Sequence, residues 1–338
     1  MRRPVYLSLC FCLCLTGAVG AQERRLEPLA ASYPSVTGNM APLWLARESG
    51  LFEKYGLEVK LVNIASGVVS VNALIGGDIQ IAAASGSTAV AAAGRGAPVA
   101  IIATFGPTPY RLVAQPSIGS IQALKGKVIG TSRPGAGSDF ALRRLLAKLG
   151  LVPGRDVTVL PTGLSESDKR VLVMLQGKIH ATIASPDSIA QIELRGGKVS
   201  VLADLLQMGV STSGSVLAAT RPFLKTRRAA AKAFLKAFGE GVWIGRTDRE
   251  RTFAVYRKYL RVTDPAQLEI LRKTSILDRI PPKPYPEEEA VRVDIEDMIA
   301  GRPDLKGGME GKSPADFIDG SLLKEIEGEN FFARLYGR

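Results

Sequence analysis

The sequence predicts an α/β protein that folds as two lobes, and three observations lead to this prediction. The mature chain, near 317 residues once an export signal is removed, exceeds what one hydrophobic core usually supports. Short apolar strands alternate with capped helices from about residue 28 to 203, a pattern typical of open, mostly parallel sheets. One strand-helix-strand unit also recurs later in the chain, which indicates two similar halves.

The first 21 residues have the features of a secretion signal. Arg2 and Arg3 precede an apolar run that ends in small residues up to Ala21, after which we expect cleavage. The run is shorter than the roughly 20 apolar residues that span a bilayer, so we expect a soluble, exported mature protein. A lipid anchor at Cys10 is the less favoured alternative. All the cysteines lie in this predicted signal: Cys10, Cys12 and Cys14. After cleavage the mature chain would have no cysteine for a disulfide, a metal site or a nucleophile.

The charge of the mature chain is positive but dilute. Removing Arg2 and Arg3 from the 44 basic residues leaves 42 against 32 acidic residues, a net charge of +10. The most basic stretches, Arg221–Lys236 and Arg246–Arg261, alternate basic and apolar residues at helical spacing, which is typical of a solvated helix face. Neither forms a concentrated patch or a recognition motif, so we do not expect nucleic acid as a partner.

The repeated unit predicts the elements on either side of a cleft. Its first copy is a strand, a helix capped by Ser66, a glycine stop and a second strand: Glu58–Asn63, Ser66–Ile75, Gly76-Gly77 and Ile79–Ala84. Its second copy has the same order: Asp156–Leu160, Glu166–Gln176, Gly177 and Ile179–Ala184. Gly77–Ser85 aligns residue by residue with Gly177–Ser185. Chance similarity between two βαβ units is the alternative; we favour two similar lobes that face each other.

Beyond Arg221 the sequence predicts a helical extension that packs back on the first lobe. The predicted helices are amphipathic and follow one another closely, with a proline-rich linker at Pro281–Pro286 before the last: Arg227–Ile244, Arg249–Leu260, Pro265–Leu277 and Glu287–Ala300.

The candidate ligand-binding residues lie where predicted strands end and helices begin. In open α/β sheets, ligands bind outside the carboxyl ends of the strands, where unpaired helix amides point outward. The loops at these positions are rich in Ser, Thr and Gly, which leave room for a ligand oxygen. The candidates are Ser35, Asn39, Ser85, Ser87, Arg133, Gly137, Ser138 and Ser185. The simpler interpretation of each serine is a helix N-cap, which is compatible with ligand contact. Few acids and the nearby Arg133 and Arg111 favour an anion, as do the helix termini.

Catalytic, metal and cofactor sites are not expected. His180 is the only histidine and falls in a predicted strand, so the mature chain cannot form a Cys–His pair or a usual zinc site. A Ser-His-Asp triad would have to use His180, and no Gly-x-Ser-x-Gly elbow accompanies it. Gly135-Ala136-Gly137 lacks the third glycine of a dinucleotide fingerprint because position 140 is Phe140. Trp44 lies one turn into the first helix and is either core or the floor of the cleft.

These stretches resemble a known family. Ala41–Leu57 is similar to the "P-L-W-x-A-x-E-x-G-x-F-x-K-x-G-L" opening of the ABC-transporter solute-binding proteins for nitrate, sulfonates, taurine and thiamine pyrimidine precursors. Further matches are Ala-Leu-x-x-Gly-Asp at 73–78, Leu124-Lys125-Gly126-Lys127 before a strand, and the run that ends at Arg143. The resemblance covers about residues 30–245. His180 departs from it, because the family usually has Asp there, and we interpret that position as structural.

The resemblance implies a type II periplasmic-binding fold with a helical C-terminal extension. The chain would cross between the lobes near Phe105–Tyr110 and Met208–Gly214, giving a signal at 1–21, lobe I at 22–106 and 215–338, and lobe II at 107–214. It further implies a monomeric periplasmic receptor that closes on a small, anionic molecule (sulfonate, nitrate, carboxylate or pyrimidine-like) and delivers it to an ABC permease and ATPase, without a cofactor. The alternatives are an enzyme acting on a pyrimidine precursor and a sensor that presents ligand to a membrane receptor.

Overall fold

A computed structural model describes residues 25–210 and 212–337, so the predicted secretion signal and its cleavage site lie outside the described residues. The strands are β1 (Glu27–Tyr33), β2 (Leu57–Asn63), β3 (Ile81–Ser85), β4 (Val99–Thr104), β5 (Arg111–Ala114), β6 (Val128–Thr131), β7 (Thr158–Pro161), β8 (Ala181–Ala184), β9 (Ser200–Asp204) and β10 (Ser215–Thr220).

The helices of the two-lobed part are α1 (Ala41–Glu48), α2 (Leu51–Lys54), α3 (Gly67–Gly76), α4 (Gly86–Gly94), α5 (Gly137–Lys148), α6 (Ser167–Leu175) and α7 (Pro186–Leu194). Those that follow β10 are α8 (Arg221–Thr226), α9 (Arg228–Thr247), α10 (Arg249–Leu260), α11 (Pro265–Arg272), α12 (Glu288–Gly301), α13 (Pro303–Met309), α14 (Ser321–Gly328) and α15 (Phe331–Tyr336). A π-helical turn, Lys273–Leu277, continues α11, and short 3₁₀ turns lie at Gly38–Met40, Gln122–Leu124 and Pro314–Asp316.

The strands form two sheets of equivalent topology. The first has the order β2-β1-β3-β10-β4, in which β1, β2 and β3 are parallel and β10 runs antiparallel between β3 and β4. The second has the order β7-β6-β8-β5-β9, in which β5 is the antiparallel strand. We call the two halves built on these sheets the first and second lobes. The repeat predicted from the sequence corresponds to β2-α3-β3 in the first lobe and β7-α6-β8 in the second, which supply two of the three parallel strands of each sheet.

The chain passes between the lobes twice, from β4 to β5 and from β9 back to β10. Gly214 precedes β10 with a positive φ of 63°, a conformation that favours glycine. A Cβ at Gly214 would collide with the backbone of Gly106 and Pro107, so the two crossings lie directly against each other.

The predicted elements of the repeat form with ends shifted by one or two residues. Ser66 caps α3, because its Oγ accepts a hydrogen bond from the Val69 amide at 3.3 Å. Gly77 and Gly177 end the two equivalent helices with φ of 88° and 81°, as expected of glycine stops. The strands that follow begin at Ile81 and Ala181, two residues later than predicted, within the usual uncertainty of element boundaries.

Each sheet is covered on both faces by apolar side chains. One face of the first sheet packs against α1, α9 and the C-terminal helices through residues such as Trp44 and Phe238, and the other against α4, α12 and α13. The helical extension therefore packs on the first lobe, as predicted. Trp44 is fully buried and stacks on Tyr259 with ring centroids 4.6 Å apart, so it belongs to this core and not to the cleft floor.

The second sheet is covered by α5 on one face and by α6 and α7 on the other. Within residues 25–210 and 212–337, every helix is too short or too polar to span a bilayer.

Candidate functional site

Two adjoining cavities lie between the lobes at the carboxyl ends of β1, β3, β6 and β8, beside a more open cavity of about 520 Å³ between α3, α4 and α5. The larger of the two adjoining cavities has a volume of about 100 Å³ and the smaller about 70 Å³. They share five lining residues, Ser35, Thr108, Tyr110, Ser165 and Ser215. We call them the larger and the smaller cleft cavity.

The structure brings seven of the eight predicted site residues to these cavities. Those that line the larger cavity are Ser35, Ser85, Arg133, Gly137 and Ser138. Asn39 and Ser185 line the smaller one, together with Ser35. The convergence follows from the topology, since the carboxyl ends of parallel strands share one edge of each sheet and the two edges face each other.

Ser87 lies elsewhere, and its prediction as a cleft residue is corrected. It is the second residue of α4, and its side chain points away from the cavities into a fully buried site where it donates to Asp294 Oδ1 at 2.9 Å. Asp294, on α12, also accepts from Ser213 and from Arg144 Nη2 at 3.0 Å. Burial raises the pKa of the Asp294 carboxyl, while Arg144 and the two hydroxyls act in the opposite direction. This cluster joins α5 of the second lobe to the helical extension.

Ser85 and Ser185 occupy the predicted N-cap positions of α4 and α7, but neither side chain makes a capping hydrogen bond. The Ser185 hydroxyl instead contacts those of Ser167 at 3.2 Å and Ser188 at 3.1 Å, and Ser167 donates to Ser188 at 2.8 Å. The Ser85 and Ser185 hydroxyls are therefore not used to cap the helix amides.

The first-lobe wall of the smaller cavity is organised by Arg279, which follows the π-helical turn. Its Nη2 donates to Thr108 Oγ1 at 2.7 Å and to Ser215 Oγ at 3.3 Å. Asn39 Nδ2 reaches the same Ser215 oxygen at 3.3 Å, and Thr37 donates to Asn39 Oδ1 at 2.8 Å. Within the described residues, Arg279 Nε is buried and has no hydrogen-bond partner.

The second-lobe wall is organised by Arg170 of α6, which is 1% exposed. Its Nη1 donates to the carbonyls of Leu164 and Ser165 at 2.8 and 2.9 Å, and its Nη2 to that of Ile183 at 3.1 Å. These carbonyls hold the guanidinium against the cavity without neutralising it.

The cavities are positively charged. Among the described lining residues, Arg133, Arg170 and Arg279 are cationic and none is a carboxylate. In the described part of the chain, neither Arg170 nor Arg279 has an acidic oxygen within 4.0 Å. Burial lowers the pKa of both arginines; Tyr110, Asp168 and Glu166 oppose this at Arg170, and Asp187 and Tyr110 oppose it at Arg279. A guanidinium nevertheless remains protonated at neutral pH.

Arg111 does not reach the cavities, so its suggested role as counter-charge is corrected. It lies on β5 and pairs with Asp204 of β9 at 3.3 Å, because the antiparallel register places the two residues opposite each other. Arg133 lines the larger cavity from an exposed position.

His180 has a structural contact, in agreement with its interpretation from the sequence. Its Nδ1 accepts a hydrogen bond from the Val128 amide at 3.1 Å, and its own amide donates to the Val128 carbonyl at 2.8 Å. It therefore aligns the start of β6 beside β8. Among the described residues, no cluster of His, Cys, Asp and Glu side chains is arranged to hold a metal ion.

The lobes touch each other across the cleft. Ser165 of the second lobe donates to the carbonyl of Ala65 at 2.7 Å, and Thr88 of the first lobe donates to that of Gly135 at 2.9 Å. A Cβ on Gly137 would lie 2.6 Å from Ser85 Oγ on the opposite lobe. The structure is thus a closed arrangement in which only a hydrogen fits between these two residues.

Comparisons with known proteins identify a family. A family model described as "NMT1/THI5 like" matches residues 37–244. The chain is 28% identical over 288 residues to a protein of Escherichia coli (strain K12) named for binding aliphatic sulfonates, an alignment that covers 83% of this chain and 85% of that one.

Solved structures share the fold. The alkanesulfonate-binding protein SsuA of Xanthomonas axonopodis pv. citri, bound to MOPS, superposes with a TM-score of 0.66 at 19% identity, over 88% of this chain and 96% of that one. The periplasmic nitrate-binding protein NrtA of Synechocystis PCC 6803 gives 0.69 at 15% identity, over 90% and 89%. The two sheets and their helices are therefore the periplasmic-binding protein fold expected from the sequence.

Proposed function

Because the chain belongs to the NMT1/THI5-like family, we propose that it is a solute-binding receptor that captures a small anion in the cleft between its lobes. The lobes close over the ligand by bending at the two crossings, and the protein performs no chemistry on it. The relatives and neighbours described above are named for binding, which supports a receptor and not an enzyme.

The observation that carries the proposal is the pair of inward guanidinium groups, Arg170 and Arg279. A buried cation without an ion-pair partner is unfavourable unless something neutralises it. Here both cations face the same cavity of about 70 Å³, together with the Asn39 and Ser185 side chains. An oxyanion placed in this cavity would accept charge-assisted hydrogen bonds from both lobes, which stabilises the closed form over the open one.

We further propose that the mature protein acts in the periplasm as a monomer and delivers its ligand to an ABC permease and ATPase. The relatives support this assignment, since similar proteins are named as periplasmic binding proteins and ABC import components. We place the lobe boundaries within the two crossings, at 106/107 and 214/215.

The test is a thermal-shift screen of the purified protein with nitrate, short sulfonates, short carboxylates and an uncharged pyrimidine, followed by calorimetric titration. A ligand that binds the folded state at 100 times its Kd adds about 2.7 kcal/mol to the free energy of unfolding. We expect stabilisation by anions and none by the uncharged compound. Preferential binding of the uncharged pyrimidine, or its chemical turnover, would contradict the proposal.

A further inference from the structure

The two lobes also meet along one face of α5, outside the two cleft cavities. Gly137, Phe140 and Arg144 lie three or four residues apart, so they share one face of this helix over about two turns. The opposite face carries Leu142 and Leu146, which are buried in the second lobe's own core. The face with Arg144 is instead turned towards the first lobe and its helical extension.

Each residue on this face contacts the first lobe or the extension. Gly137 has no room for a Cβ on the side of the first lobe. Phe140 packs against the apolar cluster to which α4 and α12 contribute. Arg144 Nη2 donates to Asp294 Oδ1 at 3.0 Å, and its Nε forms an ion pair with Asp297. The second lobe therefore contacts the first through a small, an apolar and a cationic residue in succession along one helix.

The carboxylates that receive Arg144 belong to α12 of the extension. Asp294 and Asp297 are three residues apart, so they lie on the same side of this helix. Asp294 is fully buried and also accepts hydrogen bonds from Ser87 of α4 and from Ser213 of the second crossing. Asp297 lies nearer the surface, with 41% of its side chain exposed. The site therefore joins both lobes, one of the crossings and the extension.

Separating the lobes would break these ion pairs and leave their negative side behind. Arg144 moves with the second lobe, whereas Asp294 stays inside the first, with the hydroxyls of Ser87 and Ser213 as its partners. A buried carboxylate that loses its cation is strongly unfavourable. Burial raises the pKa of Asp294, and Arg144 is the largest influence that opposes this rise. Opening would also return part of the Phe140 ring to water. The closed form thus has a source of stability that requires no ligand.

We propose that Arg144, Asp294 and Asp297 form a latch that holds the lobes closed in the absence of ligand. The inference rests on the proposed function only in that the lobes must be able to open. The helical extension supplies the acidic half of the latch, so it sets how much of the empty protein is closed. The affinity for a ligand then depends on this closed fraction as well as on the contacts in the cleft.

The first experiment measures the distance between the lobes in the ligand-free protein. Spin labels are attached at Val69→Cys and Lys169→Cys, two exposed and equivalent positions at the starts of α3 and α6. These helices follow Ala65 and Ser165, which touch across the cleft, so the label distance should increase when the lobes open. We expect the short, closed distance to be present without ligand. Arg144→Met should lower the ratio of closed to open protein about ten-fold, because it removes a charged hydrogen bond between the lobes.

Arg143→Met is the matched control. Arg143 precedes Arg144 on α5 but pairs with Asp139 of the same helix at 2.9 Å, so this ion pair lies within one lobe. The control should give the label distances of the wild type. Arg144→Lys keeps the positive charge and should restore part of the closed fraction. Asp297→Asn removes a partly exposed charge without disturbing the core, and it should shift the distances in the same direction as Arg144→Met.

The second experiment is calorimetric titration with nitrate and with methanesulfonate. A smaller closed fraction weakens the binding of every ligand alike. Arg144→Met should therefore raise the Kd of both anions by the same factor, up to about ten-fold. A residue that contacts the ligand would instead change the preference for one anion over the other.

The outcomes separate the latch from the proposed function. Equal label distances in Arg144→Met and Arg143→Met, with both variants folded by urea titration, would refute the latch and leave the anion receptor standing. A ligand-free wild type that shows the open distance alone would do the same. If no anion binds, the proposed function fails, but the distances in the ligand-free protein still decide for or against the latch.

Discussion

Removing the Arg279 side chain should weaken anion binding strongly. The guanidinium is held by Thr108 and Ser215, at 2.7 and 3.3 Å, and keeps a buried Nε without a partner in the described part of the chain. A hydrogen bond to a charged group contributes about 1.5 to 3 kcal/mol. Arg279→Ala should therefore raise the Kd for the tightest-binding anion of the thermal-shift screen by about 10- to 150-fold. The Kd of Arg279→Lys should lie between those of the wild type and Arg279→Ala, because lysine keeps the positive charge but loses the planar pair of N–H donors.

The assay is calorimetric titration at pH 7, with the free energy of unfolding measured in parallel by urea titration. The two internal hydrogen bonds of Arg279 contribute about 1 kcal/mol each, so Arg279→Ala should remain folded. Arg111→Ala is the control, since Arg111 pairs with Asp204 outside the cavities. An unchanged Kd in Arg279→Ala, or an equal loss in Arg111→Ala, would refute the assignment of the anion to the smaller cavity.

Three other changes probe closure and stability. Gly137→Ala should obstruct closure of the lobes and weaken ligand binding by about 1 to 3 kcal/mol, because its Cβ would lie 2.6 Å from Ser85 Oγ. Gly119→Ala is the control for the same titration, since a Cβ there would have no atom within 4 Å. Equal Kd values for the two variants would contradict closure at this contact. His180→Asn should leave affinity within about two-fold, because its contact is with the backbone of β6, and a large loss by titration would argue for a functional histidine. Asp294→Ala should lower the free energy of unfolding by about 1 to 3 kcal/mol, since it leaves the buried Ser87 hydroxyl unpaired and removes one of two carboxylates beside Arg144, which keeps Asp297; an unchanged urea midpoint would contradict this.

The backbone devices of the fold could be predicted because each depends on local chemistry. Ser66 caps its helix and Gly177 ends the equivalent one, as their positions indicated. The convergence of Ser85 and Ser185 at one cleft could also be predicted, because topology places strand ends together whatever the side chains are. The direction of a side chain at the start of a helix could not be predicted in the same way. Ser87 is two residues from Ser85 on a helical start, which rotates its hydroxyl about 200° away, into the buried Asp294 site.

The two arginines that face the smaller cavity were missed for different reasons. Arg170 left a signal, since it lies on the apolar face of an amphipathic helix, four residues before the buried Met174. An arginine on the buried face of a correctly assigned helix indicates that polar groups surround it there. Arg279 left none. Its partner Thr108 is 171 residues away along the chain, and only the packing of the extension on the first lobe brings them together.

The position of β10 has a consequence for how the chain acquires its structure. This strand is the central partner of both β3 and β4, yet it follows the whole second lobe in sequence. A growing or translocating chain that has not yet released Ser215–Thr220 can complete the second sheet but leaves the first one split, with the alanine-rich edge of β3 unpaired. In such a chain the second sheet can be completed before the first, and the pairing of β10 with β3 and β4 is a long-range contact of the kind that slows folding.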